Sequence, residues 1–204
     1  MPGSPSPRPD GAQEFGAREQ TAIWVLLGSA FVVMLNETIM GVALPPLMDA
    51  LDITAAAGQW LTTAFLLTMS IVIPITGMLI QRFTTRALFL TAMSLFTLGP
   101  LVAVIAPGFA VLLIGRVIQA TGTAIMMPLL MTTVSTIVPT DQRGRLMGRI
   151  AVVMSVAPAI GPTVSGLILN WLDWRWLFII VLPFAALALV IGALRMPNVG
   201  LRRK

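Results

Sequence analysis

The chain has 204 residues, 57% of them hydrophobic and 10% charged, with a formal net charge of +5. Its mean hydropathy of +0.92 lies above the range of soluble domains. It has no cysteine for disulfides or thiolate metal sites, no histidine as metal ligand or general base, and a single lysine at Lys204, which excludes a Gly-Lys-Ser/Thr phosphate loop.

Residues 1–20 are rich in Pro, Gly and Ser and lack a hydrophobic pattern, which predicts a disordered tail. Six apolar runs follow, each of about 20 residues or more, the length that crosses ~30 Å of hydrocarbon as a helix. They cover Ala22–Met48, Ala57–Ile80, Ala87–Ala106, Phe109–Val138, Arg149–Trp171 and Arg175–Arg195. Short connectors separate them: Asp49–Ala56, Gln81–Arg86, the Pro107-Gly108 break, Pro139–Gly148 and Leu172–Trp174. The expected organisation is a tail over 1–20, a six-span all-α membrane domain over 21–195, and a basic tail over 196–204.

The charges give an orientation. Arg82 and Arg86 fall on one side with Arg143, Arg145 and Arg149, and with the basic residues of both termini. The other side carries Asp49, Asp52 and Asp173, with Arg175 as its one basic residue. This asymmetry predicts a multi-pass protein of the cell membrane with both termini cytoplasmic. The same arrangement reads the basic charge as a topology signal and not as a nucleic-acid surface. Trp60, Trp171, Trp174 and Trp176 lie at expected outer boundaries, where indole rings favour the interface.

Two spans carry charges at depth. In the first, Asn36, Glu37 and Thr38 interrupt the apolar run, and Pro45-Pro46 follow. A charge at the bilayer centre costs at least ~2.5–3.5 kcal/mol on insertion scales. Two readings of Glu37 are open: a protonated side chain bonding a neighbouring helix, or a titrating carboxylate facing a cavity. In the fourth span, Arg116, Gln119 and Thr123 share a helix face. Arg116 is either a fixed interior positive charge or a snorkelling side chain that reaches the surface. The fifth span repeats small residues at Ala157, Gly161 and Ser165, with Pro158 and Pro162 beside them. That spacing permits close helix packing.

Together these segments resemble the major facilitator superfamily, and within it the drug:proton antiporters of the fourteen-span multidrug-efflux branch. Leu35–Pro45 is similar to that branch's first-span signature, with Asn36 where the family has Asp and Gly41 where it has Asn. Arg116, Gln119 and Gly122 match the fourth-span motif, whose arginine is implicated in proton transfer. Gly148, Gly161, Pro162 and Gly166, with Pro158 inside the segment, match the antiporter motif, while Ala157 and Ser165 replace its glycines. Gly77, Leu79, Arg82 and Arg86 fit the gating loop, with Gln81 for its Asp and Thr84 for a Gly.

The resemblance implies one half of a major facilitator fold, built from two inverted three-helix repeats in which span one corresponds to span four. It implies proton coupling through Glu37 and Arg116, a cavity lined by Asn36, Thr38, Gln119 and Thr123, and no cofactor. The implied partners are the bilayer, protons, a small amphipathic or cationic compound, and a second half-transporter or second copy, since the matched motifs are those of an N-terminal half. The leading expectation is a proton-coupled multidrug exporter. The alternative is a non-transporting membrane subunit or truncated fragment that assembles with a partner half. An enzyme is expected least.

Overall fold

The computed structural model describes residues 16–198. Six helices follow one another: α1 (Ala17–Leu51), α2 (Ala55–Arg82), α3 (Thr85–Val104), α4 (Phe109–Ile137), α5 (Thr140–Trp171) and α6 (Arg175–Arg195). No strand occurs among the described residues, and each helix is long and apolar enough to cross a membrane.

The six spans are those read from the sequence, but their ends run further. The expected 1–20 tail lies mostly outside the described residues, and Ala17–Gln20 already belong to α1. At 35 residues, α1 rises roughly 50 Å, well beyond the ~30 Å hydrocarbon layer. The expected connector 139–148 is nearly all helix, because α5 begins at Thr140. Hydropathy marks where a helix leaves lipid, not where its backbone stops. Pro139 accepts from the N–H groups of Gln142 and Arg143 at 3.1 and 3.0 Å. Asp141 in the first turn complements the positive end of the helix dipole.

The turns that remain are tight. The Thr54 and Thr84 hydroxyls accept from the N–H groups of Ala57 and Ala87, which caps α2 and α3. Asp52 closes α1 in the left-handed region, φ 49°, a conformation that Asp tolerates better than most residues. Every helix contains proline, Pro45 and Pro46 in α1 among them, yet α1 remains one helix.

The helices pair across the two halves of the sequence. α4 packs against α3 and α2, and α1 packs against α6 and α5, while α1–α4 and α3–α6 contacts join the centre. Exchanging α1–α3 with α4–α6 maps these neighbours onto one another: α2 against α4 becomes α5 against α1. This is the swapped pairing of two inverted three-helix repeats. α2 and α5 are the least buried spans at the flanks.

Glycines permit the closest approach. A Cβ on Gly115 would lie 2.9 Å from the Gly99 carbonyl oxygen, and one on Gly99 would lie 2.5 Å from Gln119 Cβ. A Cβ on Gly122 would strike the Ala92 carbonyl and the Phe96 backbone of α3. The α3–α4 seam therefore has backbone where other seams have side chains.

Trp174 departs from its expected interfacial role. It is 3% exposed and packs edge-on to Phe178, with ring centroids 6.1 Å apart. Arg175 explains the burial. Its guanidinium lies 4.4 Å from the Trp174 ring, pairs with Asp173 at 3.2 Å and donates to the Ala106 carbonyl at 3.2 Å. The α5–α6 turn is thereby folded onto the α3–α4 turn. Trp60, Trp171 and Trp176 remain exposed.

The seam makes a clear prediction. Gly122→Ala forces a methyl against backbone that cannot rotate away, and overpacking of this kind costs about 1–3 kcal/mol. Gly28→Ala, where no atom lies within 4 Å of the new methyl, should be neutral or stabilising. Denaturant unfolding in mild detergent reads both.

Candidate functional site

The polar residues at depth in α1 and α4 meet. Arg116 is 3% exposed and points into the bundle, not toward the membrane surface. Its Nη1 donates to Gln119 Oε1 at 2.7 Å and to Glu37 Oε1 at 3.3 Å. The Glu37 contact is an ion pair that joins α4 to α1 across 79 positions of sequence. A guanidinium does not lose its proton in proteins, so burying it requires partners on every side.

One partner was not legible in the sequence. The Arg116 guanidinium carbon sits 4.1 Å from the centre of the Phe65 ring on α2. A cation over an aromatic face is worth ~0.5–2 kcal/mol, more as water is excluded. Phe65 is 2% exposed. In sequence it is one apolar residue in an apolar span, and only the packing of α2 on α4 assigns it to the cluster.

Asn36 is 1% exposed, and its Nδ2 approaches Glu37 Oε1 at 3.4 Å. Thr123 spends its hydroxyl on the Gln119 carbonyl at 3.1 Å. Thr38 likewise donates to the Met34 carbonyl at 2.8 Å. Asn36 Oδ1, Gln119 Nε2 and Arg116 Nε have no protein partner. The cluster thus retains both donor and acceptor capacity in a buried setting, where most polar groups are paired. Glu37 differs from Arg116 in access: its side chain is 29% exposed, against 4% for the arginine.

The small-residue stripe of α5 lies against α1 beside this cluster. A Cβ on Gly161 would meet Thr38 side-chain atoms at 2.6 Å. Ser165 is fully buried and donates to the Ile39 carbonyl at 3.2 Å. Ala157, one turn before Gly161, is also buried. Pro158 and Pro162 flank that stripe and are exposed, Gly148 is exposed, and Gly166 is half-buried. The antiporter-motif residues therefore divide into a face that docks α1 and a face that does not.

The gating-loop residues lie apart from the cluster. Gly77 is exposed within the last turns of α2, and Arg82 and Arg86 are exposed beside the α2–α3 turn. Arg86 Nη2 donates to the Ala193 carbonyl at 2.6 Å, near the end of α6. A cation at a helix C-terminus is favoured by the dipole. No grouping of metal-ligating side chains occurs among the described residues.

A six-helix membrane bundle with swapped three-helix repeats and a charge pair between its first and fourth helices belongs to the secondary-transporter class of folds. The family model for the Major Facilitator Superfamily matches residues 26–203, and the chain belongs to that superfamily. It is 50% identical over 182 residues to an uncharacterised transporter of this type, YcnB, from Bacillus subtilis, covering 89% of this chain and 39% of that protein. It is 48% identical to the lincomycin resistance protein LmrB of the same organism, covering 86% of this chain and 36% of LmrB. It is 31% identical to a putative multidrug resistance protein, MdtD, of Escherichia coli, covering 86% and 37%. The chain thus spans well under half the length of these relatives. Among solved structures, the fold is shared with a peptide transporter, POT, at a TM-score of 0.77 and 17% identity, covering 88% of this chain and 38% of that one. It is shared also with the human organic anion transporter MFSD10, at a TM-score of 0.73 and 18% identity, covering 88% and 48%.

The hydrogen bond to Gln119 is the shortest that holds Arg116, which predicts an unequal response to mutation. Gln119→Leu should cost about 1.5–3 kcal/mol, the worth of a hydrogen bond to a charged group. Thr121→Val, on the outer side of the same helix, should stay within ~0.5 kcal/mol. Unfolding of the two variants in detergent makes the comparison.

Proposed function

We propose that this chain is the N-terminal half of a proton-coupled exporter of small amphipathic or cationic compounds, working with a second six-helix half or a second copy. The observation that carries the reading is the Glu37–Arg116 ion pair, placed between the two helices that the repeat makes equivalent. The names of LmrB and MdtD, both resistance proteins, support the substrate class.

Glu37 is the one side chain of the pair that can gain and lose a proton, and it is the more accessible of the two. Arg116 is the fixed charge. Two unit charges ~4 Å apart at an effective dielectric of about 20 interact by about 4 kcal/mol. A helix movement that opens or closes the pair therefore changes how tightly Glu37 holds its proton. A compound entering beside Asn36 and Thr38 competes for the same carboxylate, and exchange of proton for compound follows. α5 moves together with α1: Gly161 and Ser165 dock the two helices closely, and Pro158 and Pro162 beside that contact let α5 bend.

Asn36 stands where the resembled family has an acid, and Glu37 follows it directly. The hydrogen bond between them supports Glu37 as the working carboxylate, held by an amide that cannot titrate.

The test is compound-driven proton movement in vesicles, with the chain joined to its partner half. Glu37→Gln should abolish the coupled proton flux while membrane insertion is retained. Unchanged coupling would transfer the proton site to a carboxylate outside this chain.

The reading also places both termini in the cytoplasm. The chain has no native cysteine, so single introduced cysteines report cleanly. Asp52→Cys and Asp173→Cys should react with an impermeant maleimide from outside intact cells. Labelling of these two only from the cytoplasmic side would invert the topology.

A further inference from the structure

At the end of the bundle where α1 and α5 begin, a cleft of about 550 Å³ lies between the two helices and the end of α4. Sites for small molecules fall in the range of ~300–1,000 Å³. The cleft is far along both helices from the Glu37 cluster, and neither the proposed transport mechanism nor the motifs use it.

Its walls are chemically divided. α5 presents Asp141, Arg145 and Arg149, spaced one helical turn apart on one face. α1 presents Gln20 and Trp24. Deeper lie Ile23 and Val138, 1% and 3% exposed, which make an apolar floor. Trp24 is 54% exposed at the point where α1 passes from polar to apolar sequence. An indole there has one apolar and one hydrated end, as interfacial tryptophans do.

The arginines of this segment are not alike. Arg143 is spent on the end of α4, donating to the Ser135 and Val138 carbonyls at 2.7 and 3.3 Å. Arg145 and Arg149 are exposed and form no ion pair among the described residues. A topology signal needs their charge only on the correct side of the membrane. It does not need them lined up along a cleft with an apolar floor.

We propose that this cleft seats the headgroup of an anionic phospholipid carrying one phosphodiester and free hydroxyls, the chemistry of phosphatidylglycerol. Arg145 and Arg149 hold the phosphate, a planar guanidinium being suited to bidentate phosphate contacts. Asp141 accepts from the headgroup hydroxyls. The apolar floor and Trp24 take the glycerol backbone and the first acyl carbons. Two arginines and one aspartate sum to a single positive charge, which balances one phosphodiester. A phosphomonoester, with ≈ −1.5 to −2, would be left undercompensated. Membrane depth and the apolar floor favour a lipid over a soluble phosphate.

The whole chain in lipid nanodiscs tests this. Brominated phosphatidylglycerol should quench the Trp24 signal, defined by difference from Trp24→Phe, several-fold more than brominated phosphatidylcholine or phosphatidylethanolamine at equal content. Arg145→Gln with Arg149→Gln should reduce phosphatidylglycerol retention, counted by native mass spectrometry, by roughly fivefold or more per arginine. Arg82→Gln with Arg195→Gln removes the same charge elsewhere and should change retention less than twofold. Millimolar glycerol phosphate should not displace the lipid. Equal quenching by the three lipids in the unmutated chain would overturn the proposal without reliance on any arginine variant. An equal loss in the distant pair would reduce the effect to diffuse surface charge. Displacement by glycerol phosphate would make it a soluble-phosphate site. Either result would also overturn it.

Discussion

A guanidinium that cannot lose its proton sits inside a membrane-spanning bundle, and much of the central packing answers to it. Arg116 needs an acceptor, a counter-charge and a polarisable face, and three helices supply them. α4 itself gives Gln119, α1 gives Glu37, and α2 gives Phe65. The last two contacts form only when α1 and α2 both close on α4. The close seam of α3 on α4 at Gly99, Gly115 and Gly122 adjoins this polar face, and Gly99 packs directly on Gln119. On the far side, α5 docks on α1 through Gly161 and Ser165, which holds the stretch of α1 that bears Asn36, Glu37 and Thr38.

The repeat gives this arrangement a reason. α1 and α4 are equivalent helices of inverted units, and each brings one charge to the centre. Each is packed by the second helix of the other unit, α5 on α1 and α2 on α4. A movement of one unit against the other therefore acts on the ion pair directly. The periphery is held by fixed contacts of another kind: Arg175 ties the α5–α6 turn to Ala106, and Arg86 ties the α2–α3 turn to the end of α6. These contacts tie the ends of the bundle together around a polar centre that keeps spare hydrogen-bonding capacity.

How far this was legible in the sequence depends on the length scale. The six spans were legible because a bilayer is the one common environment that favours about 20 apolar residues in a row, six times over. Arg116, Gln119 and Thr123 on one face followed from helical spacing alone. The first turns of α5 were not legible, since hydropathy falls at Arg143 and Arg145 while the backbone continues to bond. Trp174 was misread because indole at a boundary usually faces the interface, and here Arg175 draws it under the turn. Phe65 carried no local signal, since a cation–aromatic contact between helices depends on their relative rotation. The division of α5, with Gly161 inward and Pro158 and Pro162 outward, has the same origin.

The central claim is that Glu37 and Arg116 act on each other, and are not merely neighbours in a polar patch. A double-mutant cycle measures that directly, with Glu37→Gln, Arg116→Gln and the combined variant unfolded reversibly in detergent. The account predicts a coupling free energy of about 1–3 kcal/mol, with the double variant less destabilised than the sum of the singles. Strict additivity, a coupling within ~0.3 kcal/mol of zero, would mean that the ion pair carries no energy and would contradict the account.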